Sequence, residues 1–561
     1  MTAKQQHHIH PLTLKLLSIA VVTVVIGGCS LNSEQEPQAT PVTLPAIIPE
    51  ELRQRRVMQK REQADSAVAV SYQARPQIGV MPPNYRPPTA SQDTYADVSA
   101  SQIYSTLRQP LSTFSIDVDT ASYANTRRYI MANQLPPEGA VRAEEMINYF
   151  NYQFQFQAQP DHDQSPFTSR YEIGKSPWNS DRQLLTVTLD TETLQTAHKP
   201  SNLVFLLDVS GSMSSPDKLP LVKRSLKMLS EQLNKEDSVA IVVYAGAAGV
   251  VLEPTAADDG AAISQALDKL NAGGSTNGGE GIEQAYALAQ QAYIEGGNNR
   301  VILATDGDFN VGINDTEQLK ELIQQSAKSG IQLTTLGFGR GNYNDEMMEE
   351  ISNWGDGNAA YIDTLLEARK VLVEQLGSTL QTVASDVKIQ MEFNPQVVSE
   401  YRLIGYQNRK LADEDFTNDK VDAGEVGAGH QVTAVYELTM VGSNQPWLPE
   451  LKYAPVPQQL SYNVSEYGHL KVRYKKPGED QSQPVNFPLS VKTDEGNSKD
   501  FIFASSVAGF AELLCCDKYL IDYDFAKSEA GARQGRGLDV HGYRADFIRL
   551  VQQAGLVNAT K

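Results

Sequence analysis

The chain has 561 residues, of which 41% are hydrophobic and 21% are charged, and these proportions are typical of folded globular proteins. At roughly 100–200 residues per domain, the length predicts two to four domains. Acidic residues outnumber basic residues by 68 to 48, and the net charge of −20 argues against nucleic acid as the main partner, because phosphate binding needs a basic surface. Three cysteines are too few for a disulfide scaffold, and the single long apolar run, at the N-terminus, excludes a polytopic channel or transporter.

The N-terminus has the pattern of a sorting signal. Lys4 and Lys15 precede the apolar stretch Leu16–Ile26, which is too short to span a bilayer as a helix but suits a signal-peptide core. Two glycines and Cys29 follow, and this end resembles the lipobox of bacterial lipoproteins. The resemblance implies cleavage of residues 1–28 and acylation of Cys29, whereas a plain secretory signal with an incidental cysteine is the alternative. With Ser30 next, we expect a lipid-anchored envelope protein of the outer membrane that faces the periplasm or the exterior.

Residues 29–110 are predicted to be a disordered tether behind the acylated cysteine. Ten of the 28 prolines lie between Ser30 and Pro110, and such a segment buries too little apolar surface to offset the entropy lost on ordering. Pro-rich stretches favour extended polyproline II instead. The stretch Glu50–Ala64 is charged enough to form a helix that touches lipid headgroups or cell wall, with a solvated helix or coil as the alternative. The tether would hold the folded body away from its lipid anchor.

Residues 201–383 alternate strand and helix patterns. Continuous apolar runs predict strands buried on both faces near residues 202–207, 238–244, 301–305, 331–338 and 359–362. Amphipathic stretches between them predict helices near 219–233, 259–271, 280–294, 315–329 and 365–382. This alternation predicts an α/β fold with a doubly wound, mostly parallel sheet. In such folds ligands bind beyond the carboxyl ends of the strands.

Polar side chains gather where these strands end. One strand ends in the motif Asp208-Val209-Ser210-Gly211-Ser212, another ends just before Asp306, and a glycine-rich loop, Gly273–Gly279, lies between them in the chain. Five residues supply oxygen atoms here, namely Asp208, Ser210, Ser212, Thr276 and Asp306. Carboxylates and hydroxyls without histidine or cysteine suit a hard cation such as Mg²⁺ or Mn²⁺.

This constellation resembles the metal-ion-dependent adhesion site of von Willebrand factor type A (VWA) domains, over about residues 202–382. The resemblance implies a Rossmann-like fold in which Ser210, Ser212 and Thr276 contact the metal directly, while Asp208 and Asp306 act wholly or partly through water. The expected metal is Mg²⁺ or Mn²⁺, with Ca²⁺ as a further possibility. In this family the metal captures a carboxylate from a protein partner. The alternative is a VWA fold whose site is an ordered network of turns with no bound metal.

The wider chain resembles a family of bacterial VWA lipoproteins. Three segments carry this resemblance, residues 112–123, 141–150 and 542–551. Strand patterns on both sides of the VWA region predict that its flanks pair with each other. The VWA domain would then be an insertion in a β-sandwich-like module, with both its termini on the side opposite the metal. The parts would be a family-specific segment with the first strands (111–200), a β-rich module (384–480) and a helical C-terminal region (481–561).

Three further motifs suggest other chemistry. Asp117-Val118-Asp119-Thr120 copies the nucleophile motif of haloacid-dehalogenase-type phosphatases, but the expected partner motifs are missing, and a strand end with a helix cap is the competing interpretation. Residues 306–317 resemble an EF-hand loop, although Val311 stands where the turn needs glycine. Cys515 and Cys516 could form a redox-active ring or simply be small buried helical residues.

These observations predict a binding protein and not an enzyme. We expect a protein partner, or an acidic polymer, that offers a carboxylate to the metal. The membrane would be contacted through the N-terminal lipid only, and no nucleic acid would bind. One alternative is a structural assembly subunit with an unused metal site, and another is a phosphatase acting through Asp117 and Asp119.

Overall fold

The computed structural model describes most of the chain from Asp93 onward. The described residues are 93–95, 101–116, 119–161, 165–191, 199–274, 278–307, 316–341, 343–375, 381–449, 465–479, 481–492 and 496–560. The predicted signal peptide, Cys29 and most of the predicted tether lie outside these residues.

Three sheets and two groups of helices form the described structure. The strands are β1 (Tyr104–Ser105), β2 (Leu111–Ser115), β3 (Phe156–Ala158), β4 (Phe167–Lys175), β5 (Gln183–Thr191), β6 (Ser201–Asp208), β7 (Ser238–Tyr244), β8 (Ala248–Ala256), β9 (Asn298–Thr305), β10 (Ile331–Phe338), β11 (Ala359–Ile362), β12 (Thr382–Phe393), β13 (Val398–Ile404), β14 (Val426–Gly427), β15 (Gln431–Met440), β16 (Glu466–Lys475) and β17 (Gln483–Ser490). The α-helices are α1 (Ala121–Met131), α2 (Ala143–Asn148), α3 (Leu219–Ser230), α4 (Gly260–Lys269), α5 (Gly278–Gln291), α6 (Thr316–Lys328), α7 (Asp345–Trp354), α8 (Leu365–Arg369), α9 (Lys499–Cys515), α10 (Phe525–Gly535) and α11 (Tyr543–Ala559).

The central domain, residues 199–375, contains a six-stranded sheet in the order β11–β10–β9–β6–β7–β8. All neighbouring strands are parallel except β8, which pairs antiparallel with β7. Side chains of α3, α4 and α8 pack on one face of the sheet and those of α5, α6 and α7 on the other. Both faces are therefore buried, which explains the continuous apolar runs. The predicted doubly wound α/β fold is confirmed, with β8 as an edge strand that the sequence pattern did not reveal.

Two antiparallel sheets form a sandwich beside the central domain. One has the order β1–β13–β15–β5–β4–β3, and the other has β14–β12–β16–β17 with β2 on the other flank of β12. Their inner faces share one hydrophobic core, which includes Leu185, Val187, Ile389, Val472 and Phe487. The alternation of inward apolar and outward residues along each strand produces this two-layer packing.

The central domain is an insertion in this sandwich. β5, which precedes it, pairs along its length with β15, which follows it. Gln332, near the start of β10, donates hydrogen bonds to Thr382 Oγ1 (3.5 Å) and Glu425 Oε2 (3.4 Å). The parallel strands of the central sheet thus begin on the side of the sandwich and end on the opposite side, whereas β8 runs the other way. This arrangement confirms the predicted insertion and its orientation.

Helices cover the outer face of the six-stranded sandwich sheet. Side chains of α1, α2, α9, α10 and α11 form a hydrophobic core with Leu184, Ile404 and Val435 from that sheet. The predicted helical C-terminal region begins at Lys499, because β17 still belongs to the sandwich. The structure also orders parts of the predicted tether, since Tyr104 pairs with Tyr401 across β1 and β13 and Thr94 bridges to Asn344.

Candidate metal site of the central domain

Two aspartates lie side by side at the carboxyl edge of the central sheet. Asp208 is the last residue of β6, and Asp306 directly follows β9. These two strands are parallel neighbours, with Leu207 opposite Ala304, so their ends lie at the same level. Both carboxylates are fully buried. The parallel register therefore brings together two acids that are about one hundred residues apart in the chain.

Asp208 is held by its neighbours in the first loop and on β9. The backbone N–H of Ser210 donates to Asp208 Oδ1 at 2.8 Å, and Thr305 Oγ1 donates to Oδ2 at 3.2 Å. Burial raises the pKa of Asp208 to about 6, and the negative charge of Asp306 adds to the rise, although the hydrogen bonds from Ser210 and Thr305 oppose it. The carboxyl group is thus fixed in orientation, and a nearby positive charge would stabilise its ionised form.

The hydroxyls of Ser210 and Ser212 form a pair beside these aspartates. A 3₁₀ turn over Gly211–Ser214 follows Ser210, and this turn brings the two Oγ atoms within 2.9 Å of each other. Ser210 is buried and Ser212 is partly exposed. The alternating residues of the Asp208–Ser212 motif therefore present their oxygens to one region, as the sequence predicted.

The second, glycine-rich loop is tied to the first loop through the backbone. Gly211 N–H donates to Gly274 O at 3.1 Å, and Gly273 N–H donates to Val209 O at 2.7 Å. Gly274 has a φ of +90°, a left-handed conformation that favours glycine. Thr276 itself lies outside the described residues, so its predicted role as a metal ligand stays a prediction. Gly273 and Gly274, which precede it in the same loop, contact the first loop.

Asp306 has a lysine partner that sequence reasoning missed. Lys218 Nζ donates to Asp306 Oδ2 at 2.7 Å, and both side chains are buried. Lys218 lies ten residues after Asp208, in a polar turn before α3. Nothing in its spacing distinguishes it from an exposed lysine, because its position depends on the turn that folds it back over β9.

The donor set fits a hard divalent cation. Two carboxylates and two hydroxyls converge from two strands, and the second loop, which carries Thr276, meets them. The described part of the chain holds no cluster of three or more histidine, cysteine, aspartate or glutamate side chains that could bind a metal. Two of the four described candidate ligands are hydroxyls, which are not among the side chains counted in such a cluster. Oxygen ligands of this kind suit Mg²⁺ better than Zn²⁺.

Family models match three successive parts of the chain. A model of the von Willebrand factor type A domain matches residues 202–375, and one described as von Willebrand factor matches residues 89–186. A third, described as the C-terminal part of uncharacterized protein YfbK, matches residues 378–557. The predicted VWA domain is thereby confirmed.

Whole-chain similarity decides the family. The chain is 44% identical over 473 residues to uncharacterized protein YfbK of Escherichia coli (strain K12), which covers 83% of this chain and 81% of that protein. This chain belongs to the YfbK family. A more distant relative of this YfbK-family chain is uncharacterized protein sll0103 of Synechocystis sp., 29% identical over 350 residues, with 60% of this chain and 76% of the relative covered.

Solved structures of VWA proteins are also similar. A von Willebrand factor type A protein from Catenulispora acidiphila has a TM-score of 0.36 and 17% identity, and the comparison covers 72% of the YfbK-family chain and 92% of that structure. VWA domains commonly act in protein–protein interactions and metal-dependent adhesion.

The phosphatase-like motif has a structural role at Asp119. Its Oδ1 accepts a hydrogen bond from Ala359 N–H at 3.0 Å, and its Oδ2 lies 3.2 Å from Arg409 Nη2. Asp119 is therefore a buried link between the segment before α1 and the first residue of β11. Thr120 of the same motif occupies the N-cap position of α1, without a side-chain cap hydrogen bond. Asp117 lies outside the described residues.

The two remaining motifs differ in how far the structure describes them. Residues 308–315 of the EF-hand-like segment lie outside the described residues. Cys515 and Cys516 are joined by a disulfide at the end of α9. The pair is thus the bonded alternative and not two free cysteines packed in a helix.

Proposed function

We propose that this protein is a lipid-anchored envelope protein that binds a protein partner through a divalent metal at the carboxyl edge of its VWA sheet. The observation that carries the proposal is the convergence there of Asp208, Asp306 and the paired hydroxyls of Ser210 and Ser212. The proposed metal is Mg²⁺, with Mn²⁺ or Ca²⁺ as alternatives. The proposed role is binding, without catalysis.

The oxygen ligands of the site favour a carboxylate as the partner group. Ser210, Ser212 and Thr276 would hold the metal directly, and Asp208 and Asp306 would act through water. A metal held mainly by neutral hydroxyls keeps a net positive charge and attracts an anionic ligand from outside. Bound there, it would supply one ligand position for an aspartate or glutamate of the partner.

The surface beside the site supports an acidic partner. A groove of about 490 Å³ runs from Met213, in the first loop, along α3, and its ionisable lining residues are Lys223, Arg224, Lys227 and Asp268. Three basic groups against one acid make this groove locally positive, although the whole chain carries a charge of −20. Such a local field attracts acidic segments that the rest of the surface repels.

The proposed membrane anchor is Cys29, in the lipobox-like sequence that ends the signal peptide. The lipid would place the protein in the bacterial envelope, at the outer membrane and facing the periplasm or the exterior. Over the residues that the structure describes, no helix combines the length and the apolar character needed to cross a bilayer. The proposed membrane contact is therefore the lipid alone.

Metal binding is tested by thermal unfolding of residues 30–561 in EDTA, Mg²⁺, Mn²⁺ or Ca²⁺. Metal at about 100 times its dissociation constant should stabilise the domain by about 2.7 kcal/mol, and Asp208→Ala should abolish that gain. A wild-type melting temperature that is equal in EDTA and in all three metals would contradict the metal site. It would favour the alternative of a structural assembly subunit.

Partner chemistry is tested with a fluorescent peptide of six glutamates beside one of six glutamines. We expect the glutamate peptide to bind in the presence of Mg²⁺. This binding should be lost in EDTA and in the Asp208→Ala variant. The triple variant K223Q/R224Q/K227Q should weaken binding by about tenfold, since exposed ion pairs contribute about 0.2–1 kcal/mol each. Lys235→Gln, an exposed lysine outside the groove, is the matched control. Equal binding of both peptides would contradict an acidic partner.

A further inference from the structure

Lys218 is fixed in place by the first turn of α3. Its backbone carbonyl accepts hydrogen bonds from Leu221 N–H at 2.8 Å and from Val222 N–H at 2.9 Å. Its alkyl chain lies against Gly339, where an added Cβ would overlap Cγ, Cδ and Cε of the lysine. Gly339 has a φ of +75°, which also favours glycine. The loop after β10 thus provides a groove shaped to a long side chain.

This groove leads the lysine side chain to the candidate metal site. Lys218 Nζ lies 2.7 Å from Asp306 Oδ2, and the exposed fractions of the two side chains are 9% and 0%. A buried ammonium is stable only when it is paired, and the same holds for a buried carboxylate. The ammonium therefore supplies a positive charge to the region where Asp208 and Asp306 repel each other.

A divalent metal would use the carboxylate of Asp306 through a bound water, and Lys218 already contacts that carboxylate directly. Positive charges a few ångströms apart in a poorly solvated site repel strongly. The side chain also has space beside it, because Gly339 lines an open pocket of about 380 Å³. The charged lining of this pocket is mixed, with three aspartates and four arginines, and Asp363 there is already paired with Arg127. The pocket is open to solvent, so an ammonium that leaves Asp306 can be hydrated there.

We infer that Lys218 is a built-in cation of this site, and that a divalent metal binds only by displacing its ammonium from Asp306. The inference rests on the proposed metal site and adds to it the residue that sets the metal affinity. Lys218 acts through Asp306 and is a positioning residue. Metal and ammonium are then competitors, so that each weakens the binding of the other.

The test is isothermal titration of residues 30–561 with MgCl₂, comparing wild type with Lys218→Met. Removing the competitor should tighten Mg²⁺ binding by about tenfold or more, within the range of couplings between two linked sites. Lys235→Met is the matched control, because this lysine lies outside the groove and the metal site and its side chain is 75% exposed. It should bind Mg²⁺ like wild type.

The outcomes separate this inference from the metal site itself. Weaker or unchanged Mg²⁺ binding by Lys218→Met, with normal binding by wild type, would overturn the inference and leave the metal site standing. Binding by the variant alone would support the inference while contradicting metal-dependent binding by the free wild-type chain. Absence of binding by both would overturn both. If Lys218→Met does not fold in EDTA, Lys218→Gln replaces it, since its amide can still donate a hydrogen bond to Asp306.

Discussion

Asp208 is the residue in which the demands of folding and of metal binding conflict most directly. It ends a strand buried on both faces and lies close enough to Asp306 for the two negative charges to repel. A carboxylate that lost its hydration on folding normally gains a hydrogen-bonded or ionic partner. Two hydrogen bonds, from Ser210 and Thr305, compensate only in part. Such a residue is expected at a binding site and is costly elsewhere.

Asp208→Asn should therefore stabilise the metal-free protein while removing the response to metal. The amide keeps the shape of the side chain and removes one of two adjacent buried charges, so the free energy of unfolding in EDTA at pH 7 should rise by about 1–3 kcal/mol. Denaturant unfolding with and without Mg²⁺ measures both effects. A variant that is less stable than wild type in EDTA would show that the carboxylate is structurally required.

At the scale of secondary-structure elements, Arg127 connects three parts of the chain. It lies on α1, and its guanidinium binds Asp363 and Glu367, at the start of α8, and Asp546 on α11. The distances are 2.7 Å to Glu367 Oε2 and 3.2 Å to Asp546 Oδ2. Arg127 is 3% exposed. Charges this deeply buried must be matched, so this arginine holds α8 of the VWA domain against α1 and α11 of the helices that cover the sandwich.

Arg127→Met should destabilise the protein strongly, because it leaves buried carboxylates without their partner. Breaking a buried ion pair from one side typically costs about 3–5 kcal/mol. Arg549→Met is the matched control, since Arg549 also binds Asp546, at 2.7 Å, but its side chain is 70% exposed, and such surface pairs contribute about 0–1 kcal/mol. Equal losses in chemical denaturation for the two variants would contradict the assigned role of Arg127.

At the scale of the whole molecule, the VWA domain meets the sandwich through a polar junction. Arg300, fully buried, donates to Gln332, which in turn donates to Glu425 Oε2 at 3.4 Å. Partial burial and the nearby charge of Asp356 raise the pKa of Glu425 to about 8, and Arg300 and a hydrogen bond from Thr382 oppose the rise. This raised pKa favours the protonated form of Glu425 in the folded protein at neutral pH.

The junction predicts a dependence of stability on pH. Between its ordinary value of 4.5 and about 8, Glu425 keeps a proton in the folded state that it loses on unfolding. Stability should therefore fall as the pH rises through this range, by up to about 1.4 kcal/mol per pH unit. Glu425→Gln should reduce that slope and be more stable than wild type at pH 8, in urea unfolding at several pH values. Exposed Glu414→Gln should leave the slope unchanged, and an unchanged slope in Glu425→Gln would refute the prediction.

Local pattern was sufficient to predict much of this molecule. The apolar runs around residues 202–207 and 331–338 predicted doubly buried strands, and the Asp208–Ser212 motif after one of them predicted an oxygen-rich edge. Strand patterns on both sides of the insertion predicted that β5 and β15 belong together. Each of these features is carried by residues that are close in sequence, or by a periodicity that burial imposes.

The features that escaped prediction depend on which distant segments meet. Lys218 on Asp306, Asp119 on Ala359 and Arg127 between three elements are pairings across long loops, and spacing in the chain contains no information about them. The edge strand β8 has partly exposed faces and a weak pattern, and β17 joins the sandwich only because β16 offers it an edge. The sequence by itself determined most of the elements of the VWA domain, the doubly wound character of its sheet and most candidate ligands. Tertiary structure alone decided which charge faces each buried carboxylate, because that depends on contacts made after the chain has collapsed.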